Sequence, residues 1–72
     1  MTRAEHLAWA KERALRYLDE GDLAGALASM GSDLRKHPEL ERSAAPGLMM
    51  IGLFDVAAGD AAAVRRFIDG FA

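Results

Sequence analysis

The 72-residue chain predicts an all-α fold of four short helices arranged as two helical hairpins, and three observations carry that expectation. The composition is that of a helix former: 15 of the 37 apolar residues are Ala, and only Thr2, Ile51, Val56, Val64 and Ile68 are β-branched. Apolar side chains recur at spacings of three and four along four stretches. Start and stop signals bound these stretches, above all two Gly-Asp pairs at 21–22 and 59–60. A chain of this length holds one domain, 1–72, around one small core, with 22 large apolar side chains available to fill it.

The first helix is expected near 3–20. Thr2-Arg3-Ala4-Glu5 has the spacing of a capping box, and Leu7, Ala10, Ala14, Leu15, Tyr17 and Leu18 follow at helical intervals. Gly21 then tolerates the left-handed conformation that ends a helix, and Asp22 can cap the next one. The second helix, near 22–36, carries the apolar stripe Leu23, Ala26, Leu27, Met30 and Leu34. Arg35, Lys36 and His37 suit the negative end of its dipole, and Pro38 stops it. Residues 38–46, PELERSAAP, form a connection with room for one helical turn. Pro46 can occupy the first turn of a third helix near 46–58, where its missing N–H costs nothing. Gly59-Asp60 repeats the earlier hinge and opens a fourth helix near 60–70, with Val64, Phe67, Ile68 and Phe71 on one face and Arg65, Arg66 and Asp69 on the other. The expected core comprises Leu7, Ala14, Leu18, Leu23, Leu27, Met30, Leu34, Leu53, Val64, Phe67 and Ile68.

The two Gly-Asp hinges lie 38 residues apart (59 minus 21), and at that offset Ala14 matches Gly52, Ala26 matches Val64 and Met30 matches Ile68. Counting from Ala10 gives Arg13, Ala14, Tyr17, Ala26, Met30 and Pro38; counting from Leu48 gives Ile51, Gly52, Asp55, Val64 and Ile68. This series resembles the tetratricopeptide helix–turn–helix repeat, in which small residues let the two helices of a hairpin approach closely. Arg13 and Asp55 depart from that pattern, and the period exceeds the usual 34 or so. A tetratricopeptide-like pair and an ordinary small four-helix bundle with two similar turns both fit the sequence. Two such units are fewer than the three or so that repeats need, so self-association could supply the missing stacking partner.

A second resemblance covers nearly the whole chain. The run HLAWAKERALRYLDEGDLAGALASMGSDLRKHPEL, followed by GLMM and VRRFIDGF, resembles a group of small helical proteins of unassigned activity from actinobacteria-infecting phages and prophages. The segment from Asp55 to Ala63 fits that group least well. The resemblance implies an origin rather than an activity, and a phage accessory protein of this size implies binding to a host or phage protein. Modulation of a host defence protein is one such use; a structural role, as a small homo-oligomer or a phage assembly factor, is the alternative.

Several function classes find little support in the residues. Without Cys there is no disulfide framework, thiolate metal site or thiol nucleophile. The hydroxyls of Thr2, Ser29, Ser32, Ser43 and Tyr17 and the two histidines, His6 and His37, show no nucleophile-and-base arrangement, so no enzyme activity, catalytic residue or cofactor is expected. His6 has no ligand partner four residues on, and Asp19, Glu20 and Asp22 lack the alternating oxygens of a calcium loop, so no metal is expected either. Nine basic and eleven acidic side chains interleave along the chain, which argues against nucleic acid as a partner. No apolar run reaches the ~20 residues of a membrane span, and no leader-like segment opens the chain; a cytoplasmic location is expected, the host cytoplasm if a phage encodes it.

Two features stand out as candidate protein-interaction surfaces. His6, Trp9, Arg13, Arg16 and Glu20 follow at intervals of three and four and share one face of the first helix. Either Trp9 lies at the core edge beneath Arg13, or Trp9, Arg13 and Arg16 form a contact group of the residue types enriched at interfaces. The third helix is apolar nearly all round, with Asp55 its one charge between Leu48 and Ala58. If Asp55 marks the wet side, Met50, Leu53 and Ala57 point inward and Leu48, Ile51 and Gly52 lie near water. If the repeat alignment holds, Met49, Met50 and Phe54 are left partly outside. Both readings leave exposed apolar surface on a chain with little stability to spare, so a homodimer is expected.

Overall fold

The computed structural model describes all 72 residues and contains four helices: α1 (Arg3–Asp19), α2 (Leu23–Arg35), α3 (Pro46–Ala57) and α4 (Ala61–Asp69). A 3-10 turn, Glu41–Ala44, lies in the connection between α2 and α3, and there are no strands. No helix is long and apolar enough to cross a membrane.

The local signals act as their chemistry requires. The Thr2 hydroxyl accepts the Glu5 N–H at 3.1 Å while the Glu5 carboxylate accepts the Thr2 N–H at 2.9 Å, closing the capping box. The two Gly-Asp hinges have the same build. Gly21 and Gly59 take positive φ of 81° and 68°, a region costly for residues with a Cβ. After α1, Gly21 N–H donates to Leu18 O and Asp22 N–H to Tyr17 O; after α3, Gly59 N–H donates to Val56 O and Asp60 N–H to Asp55 O. This double pairing satisfies carbonyls that the helix end would otherwise leave open. Each Asp then caps the following helix, Asp22 accepting from Gly25 N–H and Asp60 from Ala63 N–H.

The α1–α2 hairpin is the most extensive helix pair. Its contact is built on small residues: Ala10, Ala14 and Ala26 are fully buried beside Met30 and Leu34. Val64 and Ile68 extend this core from α4, Phe71 from just beyond its end, and Leu40 and Ala44 join it from the connection. Two surface links tie α4 to α1: Lys11 Nζ donates to Asp69 O at 3.0 Å, and Arg65 pairs with Asp19 at 3.0 Å. The three residue pairs that the 38-residue offset aligns, Ala14 with Gly52, Ala26 with Val64 and Met30 with Ile68, are buried at all six positions.

The core differs from the sequence expectation at Leu53, which is exposed, and at Leu7, Leu23 and Phe67, which are only half-buried. The placement of α3 accounts for Leu53. This helix meets α2 and α4 through Gly52, where an added Cβ would stand 2.8 Å from both Leu27 Cδ1 and Phe67 Cε1. A glycine contact brings the backbone in close and turns Leu53, one position on, away from the core. The reading in which Asp55 marks the wet side holds for Leu48 and Ile51, which are exposed, and fails elsewhere: Gly52 is buried, Asp55 half-buried, and Met50, Leu53 and Ala57 exposed.

Candidate functional site

The face of α1 that carries His6, Trp9 and Arg13 turns toward the C-terminal end of α2, where Asp33 lies. The Asp33 side chain is 1% exposed and accepts from Arg13 Nε at 2.8 Å and Lys36 Nζ at 3.1 Å. Its backbone carbonyl accepts a 2.6 Å hydrogen bond from His6 Nε2. The buried His6 ring lies 5.1 Å from the Trp9 ring and 5.2 Å from that of His37. Arg13 and Lys36 also sit over Trp9, at 5.0 and 5.6 Å from its centroid. One anion thus holds two cations above a Trp face, a placement that ion pairing and the ring quadrupole both favour. No buried side-chain N or O atom lacks a hydrogen-bond partner.

This arrangement has the core-edge geometry of one of the two readings of the α1 stripe, with Arg13 over Trp9. Trp9 and Arg13 come together where α1 meets Asp33 of α2, and both remain half-exposed. Arg16 stands apart, exposed and paired with Glu12 at 2.8 Å. Asp33 is the residue that sequence reasoning missed. Its position was informative, because Asp33 falls seven residues after Ala26 and three after Met30, on the apolar stripe of α2. A charge buried on such a stripe requires a partner.

Helix α3 offers the other surface. Met49 is half-buried against α2, its Cε 3.1 Å from where a Cβ on Gly31 would stand. Met50 and Phe54 face outward, and with Leu48, Ile51 and Leu53 they form a row of large apolar side chains that are 40–71% exposed. A large side chain offers on the order of 200 Å2, so these five leave roughly 500 Å2 of apolar surface in water. Loose folding does not explain it: the whole chain exposes 4282 Å2, close to the ~4,400 Å2 usual for its mass. Open grooves flank the ridge, one lined by Leu48, Phe67 and Phe71 and the other by Leu27, Met49 and Leu53.

Glu5 is held below the usual carboxylate range, first by the Thr2 backbone N–H and then by the Thr2 hydroxyl. No group of three or more His, Asp or Glu side chains has an arrangement that could hold a metal ion. In comparisons with known proteins, no family model matches this chain, and no curated protein or solved structure matches it either.

Proposed function

We propose that this protein is a small protein–protein interaction module that works through the exposed face of α3. The observation that carries the reading is the row Leu48, Met50, Ile51, Leu53 and Phe54, an apolar patch at the large end for a monomer, on a chain otherwise packed to ordinary compactness. Met and Phe suit such a role, since a flexible thioether adapts to a partner and an aromatic ring supplies a large anchor. Function on this reading is contact rather than catalysis. Partners on this reading are host or phage proteins, this chain included, as the resemblance to phage and prophage proteins suggests, and modulation of a host defence protein is one outcome of such contact.

Trp9 and Arg13 serve this function indirectly by locking the α1–α2 hairpin on which α3 is mounted. Affinity capture with the wild-type chain and with Phe54→Glu tests the proposal. A bound protein lost with Phe54→Glu and retained with Arg16→Ala is the expected result. Equal capture by the wild type and by Phe54→Glu and Met50→Glu would refute the assignment to α3.

A further inference from the structure

We infer that the occupant of the α3 face is a second copy of this chain, with two α3 helices packed antiparallel about a twofold axis centred on Gly52; the inference rests on α3 being the contact face. Gly47, Met50, Phe54 and Ala57 are all exposed and follow at intervals of three, four and three, the spacing of a helix–helix seam. In an antiparallel pair centred on position 52, Met50 meets Phe54 of the second copy and Gly47 meets its Ala57. Large residues thus face large ones at the centre, and small residues face small ones at the ends. Ile51 flanks the seam on one side and Leu53 on the other, so each meets its own counterpart across the axis.

Charge favours the same occupant. A twofold axis brings like against like, so a charged patch would repel its copy. The seam and its flanks, Gly47, Met50, Ile51, Leu53, Phe54, Ala57 and Ala58, carry no charge, while half-buried Asp55 lies off the seam. The area agrees as well. Complete burial of Met50, Ile51, Leu53 and Phe54 in both copies would cover at most about 950 Å2, near the ~1,000 Å2 lower bound for a specific interface. That size fits a dimer in the micromolar range or weaker, assembled at roughly 0.5 mM and dissociated by dilution.

Sedimentation equilibrium over that range, with helicity followed by circular dichroism, tests the inference. The wild type should show a concentration-dependent dimer, and Phe54→Glu and Met50→Glu should each weaken it at least tenfold with helicity unchanged. The chain has no Cys, so an introduced thiol is unique. With a short bismaleimide, Ile51→Cys should cross-link to its own copy. Gly47→Cys should not, because its counterpart lies about 15 Å further along the helix axis. A wild-type monomer at every concentration would overturn the homodimer while leaving α3 open to a different protein. A dimer indifferent to both Glu substitutions would overturn the homodimer through α3 and remove support for α3 as the contact face. Cross-linking of Gly47→Cys in preference to Ile51→Cys, or unfolding of both Glu variants, would refute the antiparallel seam.

Discussion

Asp33→Ala is the substitution that should cost this fold most for the fewest atoms removed. It deletes the carboxylate that holds Arg13 at 2.8 Å and Lys36 at 3.1 Å. Hydrogen bonds to charged groups contribute about 1.5–3 kcal/mol each. The Arg13 and Lys36 side chains are 41% and 55% exposed, however, and regain water when released, which lowers their joint contribution to about 2 kcal/mol. The small void left at this buried position adds up to about 1 kcal/mol. The expected loss is therefore 2–3 kcal/mol, against a total stability of roughly 4–11 kcal/mol for a chain of this size. The melting temperature should fall by about 10–20 °C. Arg13→Ala should cost less, about 1–2 kcal/mol, because Lys36 stays on the carboxylate while the cation–π contact is lost. Urea denaturation followed by circular dichroism, run as a double-mutant cycle, should give a coupling of about 1 kcal/mol between Arg13 and Asp33. An Asp33→Ala variant within about 0.5 kcal/mol of wild type, or a coupling of zero, would refute the lock as a source of stability.

Gly52→Ala should lower the melting temperature even though Ala favours a helix by about 1 kcal/mol, because the added Cβ meets Leu27 and Phe67 at 2.8 Å; an increase would contradict the close approach of α3. Gly21→Ala and Gly59→Ala should each cost about 1 kcal/mol in thermal melts, since both glycines sit at positive φ, and a neutral result would show that these turns relax. Glu5 has its folded-state pKa depressed by the Thr2 N–H, so its contribution to stability is present above the ordinary carboxylate pKa and lost as pH falls through the folded value. An NMR pH titration should find Glu5 titrating below the ordinary Glu range, and Thr2→Val, which removes the hydroxyl but keeps the N–H, should move it only part of the way back. Fluorescence anisotropy with duplex and single-stranded oligonucleotides should show no binding at physiological salt, since Arg13, Arg16, Lys36 and Arg65 are all paired with carboxylates; sub-micromolar, steeply salt-dependent binding would contradict this.

Local chemistry made much of the architecture legible in the sequence. The Thr2–Glu5 capping box, the Gly21-Asp22 and Gly59-Asp60 hinges, Pro46 at a helix start and the absence of strands depend on interactions within a few residues, and the chain spells these out. The 38-residue offset was legible for a related reason: small residues at Ala14 and Gly52 are where two helix backbones come close. What only the tertiary structure decided was which of several permitted faces is used. Helix α3 is apolar nearly all round, so periodicity assigns no inward side, and the choice fell to the contact of Gly52 with Leu27 and Phe67, residues distant in sequence. That contact left Met50 and Phe54 outside. Asp33 and Trp9 belong to the same class. A carboxylate on an apolar stripe needs a partner, but that Arg13, 20 residues earlier, would supply it and draw Trp9 into an internal lock follows from how α1 crosses α2. Short-range hydrogen bonds and backbone preferences are written in neighbouring residues, whereas burial and pairing are settled between helices, where one chain offers several near-equal solutions and packing selects among them.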